Sequence, residues 1–86
     1  MLDKYSLSAC VCLKELRFEN DLSQNVFARL FGIPEDVIFN YENRLKAPSL
    51  ELAYNVSVHY GVSMDWILGI SGIKYLNSPI PVESVA

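Results

Sequence analysis

The sequence has little of what metal sites and disulfides require. Its 86 residues include one histidine and two cysteines, so a metal site would lack ligands. Cys10 and Cys12 are two residues apart, so on a helix they point to different faces and cannot pair with each other. We expect both to be reduced thiols of a cytosolic protein. The sequence therefore predicts no bound metal and no cofactor.

Basic charge is also scarce. Seven lysines and arginines face ten acidic residues, which gives a net charge of −3 at pH 7. This balance disfavours a non-specific nucleic-acid binder, because such domains are usually basic. A sequence-specific binder with a local basic patch remains open. No apolar run is long enough to span a bilayer, so we expect no membrane partner and a cytoplasmic location.

Hydrophobic residues are plentiful, and their spacing is helical. They make up 51% of the chain, which is enough for the core of one small domain. Apolar residues recur at three and four positions and seldom alternate, so we predict an all-α fold. The predicted helices run from Ser6 or Ser8 to Glu19, from Ser23 to Phe31, from Pro34 to Asn43, from Ser49 to Tyr60, and briefly after Ser63.

Serine and glycine mark the ends of these helices. Ser23, Ser49 and Ser63 are predicted N-caps, because a serine oxygen can accept from a free backbone N–H. Gly32 and Gly61 are predicted to end helices in the left-handed conformation. The predicted core residues are Leu13, Leu16, Val37, Ile38, Tyr41, Leu52, Ala53, Val56, Trp66, Ile67 and Leu68.

The segment 22–42 reads as two short helices joined by a glycine turn, which is the pattern of a helix-turn-helix. From residue 13 to 69 the sequence resembles the phage repressor and Cro-type helix-turn-helix family, also called the XRE family. The blocks that carry the resemblance are Leu16-Arg17, Leu22-Ser23-Gln24, Ala28, Gly32-Ile33, Ile38, Tyr41-Glu42-Asn43, Pro48-Ser49-Leu50-Glu51 and the run from Gly61 to Gly69.

This resemblance implies a five-helix, lambda-repressor-like domain over residues 1–70, followed by a short C-terminal tail over residues 71–86. Ala28 resembles the small residue that the family has where the two motif helices approach closely. Ile38 resembles the family residue that fills the space between those helices. Arg17 and Glu42 resemble a family salt bridge between the first helix and the end of the third. A guanidinium can meet both carboxylate oxygens in such a pair.

The resemblance also implies double-stranded DNA as the partner. It places Gln24 near a phosphate or a base edge, although Gln24 could instead be an ordinary polar residue of a first turn. Asn25 beside it is a weaker candidate. On the third helix the outward positions are Glu35, Asp36, Phe39, Asn40 and Asn43.

Basic and amide side chains supply the expected DNA contacts around the third helix. Asn40 suits adenine, because its amide can donate and accept at once. Asn43, Arg44 and Lys46 lie at the helix end and in the following loop, where phosphate contacts are expected. Arg44 stands where the family commonly has glycine, and the loop is about one residue short.

Three outward residues are unusual for a DNA reader. Glu35 and Asp36 either stabilise the helix N-terminus, by about 0.3–1 kcal/mol each, or accept from the exocyclic amine of cytosine. Phe39 either meets a thymine methyl, contacts a protein, or folds sideways into the core.

These features leave two hypotheses. The first is a sequence-specific transcriptional regulator of the repressor kind, which binds operator DNA as a homodimer through helix five and the tail from Ile70 to Val85. The second is a protein-interaction module, such as an antirepressor, that meets a protein partner through the acidic, aromatic face of helix three. Neither is an enzyme: no serine or cysteine has a recognisable base partner, and His59 reads as a surface residue.

Overall fold

The fold is all-α, as predicted. The computed structural model describes residues 1–76 of the chain. Five helices follow one another along it: α1 (Lys4–Glu19), α2 (Gln24–Leu30), α3 (Glu35–Glu42), α4 (Leu50–Tyr60) and α5 (Met64–Ile67). The weak strand-like alternation of Ile80, Val82 and Val85 lies outside the described residues.

Side-chain caps start α1, α2, α4 and α5, and the cap of α1 differs from the predicted one. Ser23 and Ser49 accept from the backbone N–H of Val26 and Leu52 at 3.1 and 3.0 Å. The prediction that α1 begins at Ser6 or Ser8 is wrong, because Asp3 accepts from the N–H of Ser6 at 2.8 Å and starts the helix at Lys4. An aspartate caps as well as a serine, and local rules do not choose between neighbouring candidates.

One continuous core lies between α1 and the other four helices. Leu13 and Leu16 of α1 are each 2% exposed and pack in one cluster with α3 and α4. Val37 and Trp66 are only partly buried at its edge. The remaining buried apolar members of this cluster are Ala9, Cys12, Phe27, Ala28, Ile38, Tyr41, Leu52, Ala53, Val56, Val62 and Ile67.

The chain beyond α5 returns to the helical body. The N–H of Ser63 donates to the carbonyl of Lys74 at 2.7 Å, and the N–H of Leu76 donates to Gly61 at 3.0 Å. The Lys74 ammonium donates to Glu15 of α1 at 2.8 Å and lies 4.9 Å from the ring centre of Trp66. Residues 74–76 are therefore hydrogen-bonded to α1 and to the α4–α5 turn. The division into a domain and a tail after residue 70 stays a prediction.

Lys74 is the main polar link in this return. Burial opposes its charge, but the hydrogen bonds that it donates to Glu15 and Glu19 outweigh that effect and raise its pKa. Both glutamates are more than 40% exposed, so solvent screens the two ion pairs.

We predict that Lys74→Gln lowers the free energy of unfolding by about 1 kcal/mol, because the ion pairs and the Trp66 contact are lost together. Urea denaturation at low salt measures the change, and the difference should shrink in high salt as screening increases. Lys14→Gln, at an exposed lysine of α1, is the matched control. Equal losses in the two variants would contradict a specific role for Lys74.

Candidate nucleic-acid interface

The bend between α2 and α3 depends on Gly32. Its φ is +69°, a left-handed conformation that costs an L-residue with a side chain about 1–2 kcal/mol. The N–H of Ile33 reaches back to the carbonyl of Ala28 at 3.0 Å and closes the turn. Ala28 is 2% exposed, so little room remains at this close approach of the two helices. The predicted helix-turn-helix is therefore present.

A buried ion pair fixes the orientation of α3. Arg17 Nε donates to Glu42 Oε2 at 2.6 Å, and Nη2 donates to Oε1 at 2.8 Å. The third donor, Nη1, bonds the carbonyl of Leu22 at 2.7 Å. The two charged side chains are only 11% and 4% exposed. One guanidinium thus links α1, the segment before α2 and the end of α3, which confirms the predicted Arg17–Glu42 pair.

Glu42 also holds the first side chain of α2. Gln24 Nε2 donates to Glu42 Oε1 at 3.0 Å, across 18 positions of sequence. Gln24 is partly buried, and an amide nitrogen has two hydrogens, so one N–H remains for another acceptor. No pattern in the sequence indicates this contact, since the family resemblance pairs Glu42 only with Arg17.

The network keeps Glu42 ionised. Burial by itself raises the pKa of this carboxyl, but hydrogen bonds from Arg17 and Gln24 and the Arg17 charge outweigh burial and lower it. The same hydrogen bond to Glu42 raises the pKa of Arg17 against the opposing effect of burial. Both groups are therefore charged at neutral pH.

The first turn of α3 is acidic and open to solvent. Glu35 and Asp36 are exposed, and Glu35 Oε1 accepts from the Asn25 amide at 3.2 Å. The N-cap of α3 is Pro34, which has no side-chain capping bond, so the two acids are the side chains that complement the free N–H groups there. Asn25 and Glu35, which the sequence put forward as separate contacts, are brought together as one pair.

Phe39 projects from the middle of α3 and is 50% exposed. The interpretation that it folds sideways into the core is therefore wrong, and the thymine and protein-contact alternatives are left. Asn40 is partly buried, with its backbone carbonyl accepting from Leu45 at 2.8 Å. Asn43 is exposed, but its amide donates to the carbonyl of Phe39 at 2.8 Å, so that N–H already has a partner.

The loop after α3 carries the positive charge of this surface. Arg44 has a φ of +60°, so it adopts the left-handed conformation that the family glycine would supply without strain. Arg44 and Lys46 are both exposed. The Cys10 thiol of α1 donates to the carbonyl of Lys46 at 3.6 Å, which ties the loop to the core. Acidic groups thus lie at one end of α3 and basic groups at the other.

Other kinds of site find little support in residues 1–76. No group of three histidine, cysteine or acidic side chains is placed to share a metal ion within that span. None of the five helices combines the length and apolar character needed to cross a membrane.

Comparisons with known proteins give a match at the level of the family. A protein-family model described as helix-turn-helix matches residues 13–67, a span that runs from α1 to the end of α5 and covers more than half of the chain. No curated protein and no solved structure gives a significant match.

We predict that Glu42→Gln lowers the free energy of unfolding at pH 7 by about 3 kcal/mol, because it leaves the Arg17 charge buried without its counter-charge. The lowered pKa of Glu42 stabilises the native state above its ordinary pKa of 4.5, and this contribution is lost as the pH falls through the folded-state pKa. Urea denaturation at pH 7 and at several values below 4.5 measures both effects.

The difference between Glu42→Gln and the parent should therefore narrow as the solution becomes acidic. Glu51→Gln is the matched control, since Glu51 is exposed on α4. A gap that stays constant from pH 7 to the acid limit would contradict the assignment of the acid sensitivity to Glu42.

Proposed function

The chain belongs to the XRE-type helix-turn-helix family of DNA-binding transcription regulators, and we propose that it is a repressor that binds a specific operator sequence as a homodimer. This role places it in the cytoplasm with the DNA. Members of this family regulate rather than catalyse, so the proposal includes no reaction. The observation that carries it is the Glu42 network, which joins both motif helices to α1 in one preorganised unit.

Preorganisation matters because a small reading surface cannot spend binding energy on ordering itself. Gln24 and the exposed side of α3 are held by the same carboxylate, so their spacing is set before DNA arrives. The free amide hydrogen of Gln24 suits a phosphate oxygen. Asn40, on the same helix as Glu42, suits an adenine edge in the major groove.

The other candidate residues divide by chemistry. Arg44 and Lys46 are exposed cations at the end of α3, and they suit phosphates beside the groove. The side-chain amides of Asn25 and Asn43 each donate a hydrogen bond within the protein, so these residues contribute less to reading the bases. Glu35 stabilises α3 and restrains Asn25. The DNA contact that remains for Glu35, and also for Asp36, is recognition of cytosine.

A homodimer supplies a second set of DNA contacts, because one reading surface of this size makes few. Helix-turn-helix proteins commonly place two recognition helices in successive turns of the major groove, and the operator then shows matching two-fold symmetry. With a net charge of −3, non-specific attraction to the duplex is weak, so the sequence-specific contacts of both subunits are needed.

Phe39 supports a second candidate function. An aromatic ring that is half exposed beside two acidic residues is unusual on a DNA-reading helix, and exposed aromatic groups are enriched in protein interfaces. In this alternative the same α3 face binds a basic or apolar protein partner, and the chain acts as a modulator or antirepressor.

Selection of bound sequences from a random duplex pool, at a stated salt concentration, distinguishes the two functions. A repressor should enrich a two-fold symmetric site, and its binding should weaken as salt increases. Failure to enrich any sequence, together with no retention on heparin or mixed DNA at low salt, would overturn the DNA-binding proposal and favour the protein partner.

We predict that Asn40→Ala and Lys46→Ala have different effects on the selected operator. Asn40→Ala should relax preference at one base position, because it removes a base contact. Lys46→Ala should weaken every sequence alike and reduce the salt slope by roughly one unit, because it removes a phosphate contact. Fluorescence anisotropy over a salt series measures both.

Lys14→Ala is the matched charge control, since Lys14 is exposed on α1 outside the helix-turn-helix. If Asn40→Ala keeps the parent's preference at every position, Asn40 does not read a base.

A further inference from the structure

The left-handed residue after α3 is an arginine, and this sets α3 apart from the other helices. Within residues 1–76, each of the five helices is followed within two positions by a residue with positive φ. In chain order these residues are Asp21, Gly32, Arg44, Gly61 and Gly69. Glycine adopts this conformation without strain, and aspartate is tolerated because its short side chain can hydrogen-bond locally. The long side chain of arginine offers no such relief, so Arg44 is the strained member of the set.

The backbone at the end of α3 requires the left-handed conformation. The N–H of Arg44 donates to the carbonyl of Tyr41 at 3.0 Å, and the N–H of Leu45 donates to the carbonyl of Asn40 at 2.8 Å. These two hydrogen bonds form a Schellman motif, which places a left-handed residue directly after the helix cap. The helix end therefore imposes the conformation at position 44, whatever side chain is there.

Apolar packing does not offset the strain at Arg44. The residue after a left-handed helix end frequently packs back onto its own helix. After α1, α2 and α4 that residue packs in or against the core, and it is Leu22, Ile33 or Val62. After α3 it is Leu45, which is 68% exposed. Arg44 is exposed as well, so its side chain adds no core contact.

One structural contribution of Arg44 is left, and it is small. A cation at a helix C-terminus interacts favourably with the partial negative charge of the free carbonyls, but salt screens this interaction at an exposed site. It is weaker than the strain of an L-residue in the left-handed conformation. Helix ends of this kind usually have glycine, which shows where the net preference lies. Glycine at position 44 would therefore give the more stable fold.

The surroundings of Arg44 suit an anion. Both acids of the first turn lie at the opposite end of α3, and Glu42, the acid at this end, is buried and bound to Arg17. Arg44 forms no salt bridge with any described residue. The exposed Lys46 lies two positions further along the same loop. A solvent-facing guanidinium is thus available beside the reading helix, with a second cation near it.

We propose that Arg44 is kept at this position by DNA: its guanidinium binds one backbone phosphate beside α3 through two N–H groups, at the cost of a less stable helix end. This inference rests on the proposed function and identifies the residue that anchors α3 on the DNA backbone. The planar guanidinium presents parallel N–H donors that match two oxygens of one phosphate, and a lysine ammonium lacks this fork.

Three variants at this one position test the inference. Arg44→Gly should raise the urea midpoint of the free protein and weaken binding to the selected operator about tenfold, because it removes both the strain and a charged hydrogen bond. Arg44→Ala should bind as weakly as Arg44→Gly but unfold at a lower urea concentration, because alanine keeps the Cβ. Both should reduce the salt slope by roughly one unit. Urea denaturation and fluorescence anisotropy over a salt series measure these effects.

Arg44→Lys separates the fork from the charge. It should keep the parent's salt slope, because the cation remains, and it should bind less tightly, because the second N–H contact to the phosphate is lost. Asp21→Gly is the matched backbone control, since it makes the same exchange at the left-handed end of α1. It should leave the salt slope at the parent's value.

The outcomes distinguish this inference from the proposed function. If Arg44→Gly unfolds at a lower urea concentration than the parent, the arginine stabilises the helix end, and the inference is wrong. If Arg44→Gly binds the operator with the parent's affinity and salt slope, Arg44 holds no phosphate, while the DNA-binding proposal stands. A parent chain that binds no duplex would overturn the DNA-binding proposal and this inference together.

Discussion

The carboxylate of Glu42 is the constraint on which the rest of this structure depends. It accepts from two nitrogens of Arg17 and from the amide of Gln24, so three helices meet at one group. Removing two charges from water costs about as much as their attraction returns, so the pair contributes little net stability compared with an apolar substitute. Its contribution is geometric: a planar guanidinium bound to both oxygens permits one orientation of α3 relative to α1.

Local chemistry explains why most of the fold could be predicted from the sequence. A serine that caps a helix or a glycine that ends one acts within four residues, so Ser23 and Gly32 mark their helices without knowledge of the tertiary structure. The start of α1 shows the limit of such rules. Asp3, Ser6 and Ser8 can all cap a helix, and no local rule indicates that Asp3 is the residue that does so.

The candidate site could be predicted less well, because its contacts join distant positions. Gln24 and Glu42 are 18 residues apart, and Asn25 and Glu35 are ten apart, so neither hydrogen bond leaves a periodic pattern in the sequence. The exposure of Phe39 likewise depends on the rotation of α3 about its own axis, and the Arg17–Glu42 ion pair determines that rotation. Residue types identified the surface, but the pairing within it required the structure.

In the proposed role, the acidic residues at the start of α3 affect how the protein binds DNA. Glu35 and Asp36 repel phosphates at every sequence alike, so they weaken non-specific and specific binding together. A regulator is limited by competition from non-specific sites, and its specificity is the ratio between the two affinities. Contacts made only at the operator, such as the one proposed for Asn40, increase the affinity for the operator and not the affinity for other sequences. The two acids therefore lower the affinity for every sequence and leave the ratio of affinities to such contacts, which a rigid reading helix can make only where the bases match. The Glu42 network supplies that rigidity.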